Sequence, residues 1–132
     1  MDSGESDLAV LLATLSPVLD PGAYVFVLDD GRDGAEDAVV TVQEPEGRTL
    51  VLPQARADEL GHEYAFVASW ITLQVHSDLS AVGLTAALAT ALTEAGISAN
   101  VVAGYFHDHV FVPRDRADDA VAVLRALAER PG

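Results

Sequence analysis

Three ionisable side chains in a row, His107-Asp108-His109, lie inside "YFHDHVFVP", residues 105–113. Two imidazoles flanking a carboxylate suit several chemistries. They can ligate Zn²⁺ or Ni²⁺, act as an acid/base pair, or rim a small-ligand site. They can also be a plain polar turn, because Asp favours turns. Another imidazole, His76, ends an apolar run and opens the loop "HSDLSAVG", residues 76–83. A helical pattern follows that loop. The free N–H groups and positive dipole of a helix start suit a carboxylate. Gly83 lets backbone come close to a ligand or to a neighbouring unit. Asp78 favours an ammonium group, so the loop as a whole suits a zwitterion. The same residues also read as structure alone, with Ser77, Asp78 or Ser80 as helix cap and Gly83 as packing space.

These groups need elements to hold them. "FVASWITLQVH" (66–76) alternates as a strand, with Val67, Ile71, Leu73 and Val75 on one face and Trp70, Thr72, Gln74 and His76 on the other. Leu84, Leu88 and Leu92 stripe a helix expected over residues 80–95, with Gly96 as a left-handed stop. Strands at 97–106 and 109–113 should meet in a tight turn at His107-Asp108. A closing helix follows, capped by Asp115 and burying Ala117, Ala120, Val121, Leu124 and Leu127. This strand–helix–strand–strand–helix order is the start of a ferredoxin-like α+β unit. In that order the first and third strands are antiparallel neighbours, which places His76, His107 and His109 at one end of the sheet. His109 and His76 should share the face of Trp70 and Phe111, away from the helices. If metal binds, His76, His107 and His109 are the candidate ligands; none is assigned.

The first half is shorter. A helix is expected near residues 6–15, then strands at 23–28 and 48–53 and a brief helix at 54–61. Residues 38–44 read as either strand or helix. "TLVLPQARADEL" (49–60) echoes "HVFVPRDRADDA" (109–120), which marks the first half as a shortened copy of the second. A first-half strand could then complete the second half's sheet. The units expected are 1–62 and 63–130.

The chain's 132 residues carry a net charge of −14 with no lysine and no cysteine. Such a surface repels phosphate backbones and anionic lipids, so neither nucleic acid nor membrane is an expected partner. Lack of cysteine removes disulfides, thiolate nucleophiles and the usual structural zinc sites. The acidic N-terminus does not read as a signal peptide. The expectation is a cytoplasmic protein.

The stretch "WITLQVHSDLSAVGLTAALATALTEAGISANVVAGYFHDHVFVP" (70–113) resembles a bacterial family built from two fused ACT-type domains, and "EGRTLVLPQARAD" in the first half resembles it more loosely. A cytosolic arginine sensor with tandem ACT repeats is more distantly similar. The resemblance implies a ferredoxin-like (ACT-type) sandwich of two units, the first shortened, with an antiparallel sheet and helices on one face. It implies a non-catalytic regulatory domain that binds a small molecule, an amino acid, and forms a homodimer. The implied ligand contacts are His76, Ser77, Asp78, Leu79, Val82, Gly83, His107, Asp108 and His109, with no cofactor. The other readings that stay open are a structural or interaction module without a ligand, and a metal-binding protein. The module reading holds if Trp70 and Phe111 face a protein interface and loop 76–83 is closed by its own caps; stoichiometric zinc marks the metal reading.

Overall fold

β-Branched and aromatic runs broken by glycine and proline set the strands, and leucine- and alanine-rich periodic segments set the helices. A computed structural model describes residues 8–74 and 83–129. In chain order its elements are α1 (Leu8–Thr14), β1 (Pro17–Leu19), β2 (Tyr24–Leu28), β3 (Val40–Glu44) and β4 (Gly47–Pro53). Then come α2 (Gln54–Leu60), β5 (Val67–Leu73), α3 (Leu84–Glu94), β6 (Asn100–Ala103), β7 (Asp108–Pro113) and α4 (Ala117–Ala128). Short 3-10 turns lie at Ala35–Asp37 and Arg114–Arg116.

The strands form one antiparallel sheet in the order β3-β4-β2-β5-β7-β6. β1 and β2 lie end to end along the edge of β5 that β7 leaves free, with Leu19 opposite Ile71 and Tyr24 opposite Ala68. The second half therefore takes its fourth strand, β1, from the first half. In return, the start of β5 is the fourth strand beside β2, β4 and β3. One rung, Pro53–Tyr24–Ala68–Pro113, crosses the centre of the sheet. Its two prolines share a backbone conformation, φ −53°, ψ 134° and φ −54°, ψ 134°. Each ends a strand because proline has no N–H for the ladder, and each leads into a helix or helical turn. The sequence echo is thus a structural repeat.

The helices cover one face of the sheet. There Ile71, Leu73, Val110 and Val112 pack against Leu84, Leu88 and Leu92 of α3, Ala120, Leu124 and Leu127 of α4, and Leu11 of α1. Val25, Val27, Leu50 and Leu52 pack around Ala57 of α2 on that same face. The opposite face has no helix among the described residues. It closes on its own aromatics: Phe111, fully buried, has Phe26 at 5.7 Å, Trp70 at 6.1 Å and Tyr24 at 6.5 Å between ring centroids.

Several expectations change. Residues 40–44 are a strand, and the first unit's first helix is reduced to the 3-10 turn at Ala35–Asp37. The strand expected over 97–106 is only Asn100–Ala103. α3 begins at Leu84 with Gly83 in the cap position, in the left-handed region at φ 97°; the expected cap residues Ser77, Asp78 and Ser80 lie outside the described residues. Asp115 does not cap α4; it sits in the preceding 3-10 turn, and Arg116 holds the cap position.

Candidate functional site

Alternation along β7 splits the His-Asp-His triplet. Asp108 lies opposite Leu73 and Ala103, and His109 opposite Thr72 and Val102. Residues directly opposite share a face, so His109 joins Trp70 on the open face and Asp108 turns toward the helices. The turn is not at His107-Asp108. It is Gly104–His107, closed by the Gly104 N–H donating to the His107 carbonyl at 2.9 Å. Tyr105 and Phe106 at its tip are 82% and 75% exposed.

His109 is held on two sides. The Trp70 indole Nε1–H donates to its Nδ1 at 3.0 Å, and the Thr72 hydroxyl lies 3.4 Å from that nitrogen. Indole nitrogen only donates, so Nδ1 bears the lone pair and the ring proton sits on Nε2. Burial pushes the His109 pKa down, helped by His107 and opposed by Asp108. On its other side is Gly104, where a Cβ would come within 3.1 Å of Nε2 and 2.6 Å of the His107 carbonyl oxygen. Only glycine leaves the hairpin room to close over this ring.

Asp108 is buried, 8% exposed. Burial raises its carboxyl pKa, against smaller opposing effects of His109 and His107. Among the described residues no arginine pairs with it. His107 Nδ1 is buried without a hydrogen-bond partner among those residues. Leu73, opposite Asp108, packs in one cluster with Leu84, the first residue of α3. β5 ends at Leu73, and the strand after α3 begins at Asn100, opposite Phe111, so α3 runs back along the sheet from the end that carries the carboxylate.

Gly83 is a packing residue in this structure. Its open side faces α1, where a Cβ would lie 3.2 Å from Leu8 Cδ2. His76, Ser77, Asp78, Leu79 and Val82 lie outside the described residues. Among the described residues no three His, Asp or Glu side chains are placed to hold a metal ion. His109 cannot offer Nδ1 to a metal while Trp70 donates to it.

Sequence reasoning placed Trp70 and His109 on one face but missed their bond, and it missed Gly104. The partners are 39 positions apart. Only the β5·β7 register, which needs the true start of β7, brings them into reach.

Open cavities also lie elsewhere among the described residues. One of about 410 Å³ is lined by Leu28, Asp30, Arg32, Gly61, His62 and Glu63. Another of about 230 Å³ lies where Arg114 meets Leu19, Asp20 and Ser69. No helix among the described residues is long and apolar enough to cross a membrane.

Family profiles described as ACT domain match residues 3–69 and 66–126. A solved protein of unknown function from Vibrio cholerae, titled a possible transport protein, is 46% identical. The alignment covers 93% of this chain and 97% of that one, with a TM-score of 0.80. The regulatory subunit of aspartate kinase from Thermus thermophilus has the same fold, with a TM-score of 0.64 at 12% identity over 86% of this chain and 97% of that one. A protein from Agobacterium tumefaciens gives 0.67 at 15% identity over 86% and 89%. No curated protein matches the sequence significantly.

Proposed function

The chain belongs to the ACT-domain family, and on that premise we propose that it is a non-catalytic, cytoplasmic regulatory domain that binds an amino acid. Residues 1–62 and 63–130 are its two units. The supporting observation is Asp108: a buried carboxylate at the end of the sheet near the start of α3, with no arginine paired to it among the described residues. A bound ammonium group supplies the missing positive charge. The ligand's carboxylate takes free N–H groups at the start of α3, whose cap contributes no side-chain hydrogen bond. In this reading Gly83 and the segment with His76, Ser77, Asp78, Leu79 and Val82 complete the wall, and His107 and His109 form the rim. The aspartate kinase neighbours add only a shared fold.

A thermal-shift screen of the twenty amino acids and Zn²⁺ tests it, run on the parent, Asp108→Asn and His109→Ala. One amino acid should stabilise the parent, by about 2.7 kcal/mol at a hundredfold excess over Kd. That gain should vanish in Asp108→Asn. A flat response to all twenty sinks the reading. Stabilisation by Zn²⁺ alone favours the metal alternative. A second reading, an interaction module without ligand, rests on the exposed Tyr105 and Phe106 and the helix-free sheet face.

A further inference from the structure

The repeat that lays Pro53 on Pro113 carries side chains with it. Tyr24 pairs with both Pro53 and Ala68, and Ala68 pairs with Pro113, so the first unit overlays the second with Tyr24 on Ala68. Val25 then falls on Ser69. Past the two prolines, Gln54 falls on Arg114, Ala57 on Ala117 and Asp58 on Asp118.

In the first unit this place is filled from within the chain. The Tyr64 ring packs against the cluster that holds Val25 and Ala57. Its hydroxyl accepts from Gln54 Nε2 at 3.0 Å and donates to Asp58 Oδ1 at 2.7 Å. In the second unit no aromatic ring lines the place. It is the open cavity of about 230 Å³ on which Ser69, Arg114, Ala117 and Asp118 converge, with residues 19–21 as the rest of its lining.

The replacements keep the pattern of donor and acceptor. Arg114 offers N–H groups where Gln54 offers its amide, and Asp118 repeats the acceptor of Asp58. Ser69 puts a buried hydroxyl where Val25 is apolar. A guanidinium has five N–H donors. Arg114 uses three, on the carbonyls of Gly22 and Pro21 and on Ser69 Oγ, which leaves two. Among the described residues no carboxylate lies in ion-pair reach of it. Asp20 accepts instead from the Tyr24 hydroxyl at 2.8 Å. Asp20 and Asp118 both line the cavity and repel an anion, so it suits a neutral group. A cavity of ~150 Å³ takes benzene, so this volume admits a six-membered ring.

We propose that this cavity binds a small neutral phenol. The ligand's hydroxyl accepts from Arg114 and donates to Asp118, as the Tyr64 hydroxyl does between Gln54 and Asp58. The site stands at the Pro113 end of β7, away from Asp108 at its start, and does not rest on the amino-acid reading.

Phenol itself is the probe, followed by amide chemical shifts of the full chain. It should move Asp20, Ser69 and Asp118 saturably. Asp118→Ala alters an exposed position, so its far-UV circular dichroism should match the parent while phenol binds about tenfold more weakly. Benzene, which lacks the hydroxyl, should bind the parent about tenfold more weakly than phenol. Tyr64→Ala opens the first unit's place, so phenol should raise its melting temperature more than the parent's. Unmoved Ser69 and Asp118 amides in the parent overturn the proposal, whatever phenol does to Tyr64→Ala. So does benzene binding as tightly as phenol, or phenol binding that Asp118→Ala leaves unchanged.

Discussion

The Trp70 indole N–H donates to His109 Nδ1 at 3.0 Å, tying β5 to β7 by a side-chain bond on the open face. An imidazolium cannot accept at that nitrogen, so the bond exists only with His109 neutral.

Stability should therefore fall on mild acidification. The His109 pKa lies below the ordinary 6.5, chiefly from burial. As pH drops below 6.5 the unfolded chain takes up the proton first and binds more protons than the folded one. The loss grows until the folded pKa is passed. Urea midpoints against pH check this for the parent and His109→Gln, the difference isolating this ring from His62 and His107. Parallel curves in that window would rule out the Trp70 bond as a pH-sensitive contact.

Asp108 carries the opposite sign. Its folded pKa lies above 3.8 because of burial. Between 3.8 and the folded value the unfolded chain binds fewer protons, so stability falls as pH rises and stays lower above it. Asp108→Asn should raise stability at neutral pH by roughly 1 kcal/mol, the scale of no longer burying a charged carboxylate. Melting temperatures at neutral and acid pH test it. A variant less stable than the parent at neutral pH means that the carboxylate has a partner that stabilises it.

Gly83 and Gly96 both hold left-handed backbone, at φ 97° and 73°, yet a Cβ meets Leu8 only at Gly83. Alanine at either site should cost about 1–2 kcal/mol of strain. Gly83→Ala should cost more, by the price of displacing Leu8. Denaturant titration of both variants measures the difference; equal losses would show that α1 does not depend on this contact.

Arg114 fixes the break between β1 and β2. Its guanidinium donates to the carbonyls of Gly22 at 2.8 Å and Pro21 at 3.2 Å, and to the Ser69 hydroxyl at 3.4 Å. Arg114→Ala should cost about 1 kcal/mol because the group is exposed. Hydrogen exchange should quicken first at Asp20 and Gln74, whose N–H groups bond Trp70 and Ser16 on either side of β1. Uniform quickening across the sheet would mean that Arg114 supports the whole fold instead.

Local pattern carried what depends on near neighbours. The alternation of 67–73 and the stripe Leu84, Leu88, Leu92 assigned buried faces correctly, because side-chain period follows from backbone geometry alone. The closing helix buries Ala117, Ala120, Val121, Leu124 and Leu127 as its period requires. The repeat of Pro53 at Pro113 was equally readable, since proline stops a ladder wherever it stands. The resemblance carried the family. Residues 38–44 stayed ambiguous because their β-branched residues suit a strand while their length suits either element; pairing with β4 decides for strand over 40–44.

The candidate site was only half legible. Its residue types stand in the sequence, and alternation put His109 on the face of Trp70, but where β7 begins decides whether Asp108 lies in the turn or in the strand facing the helices. The sequence put Asp108 in the turn with His107. Pairing with Leu73 and Ala103 pulls it into the strand and through to the helix side, leaving His109 to Trp70. That outcome rests on hydrogen bonds between segments far apart in the chain, as does the loan of β1 to the second unit's sheet. Composition and spacing fix which groups are present and which local face they take; only long-range register fixes which of them meet.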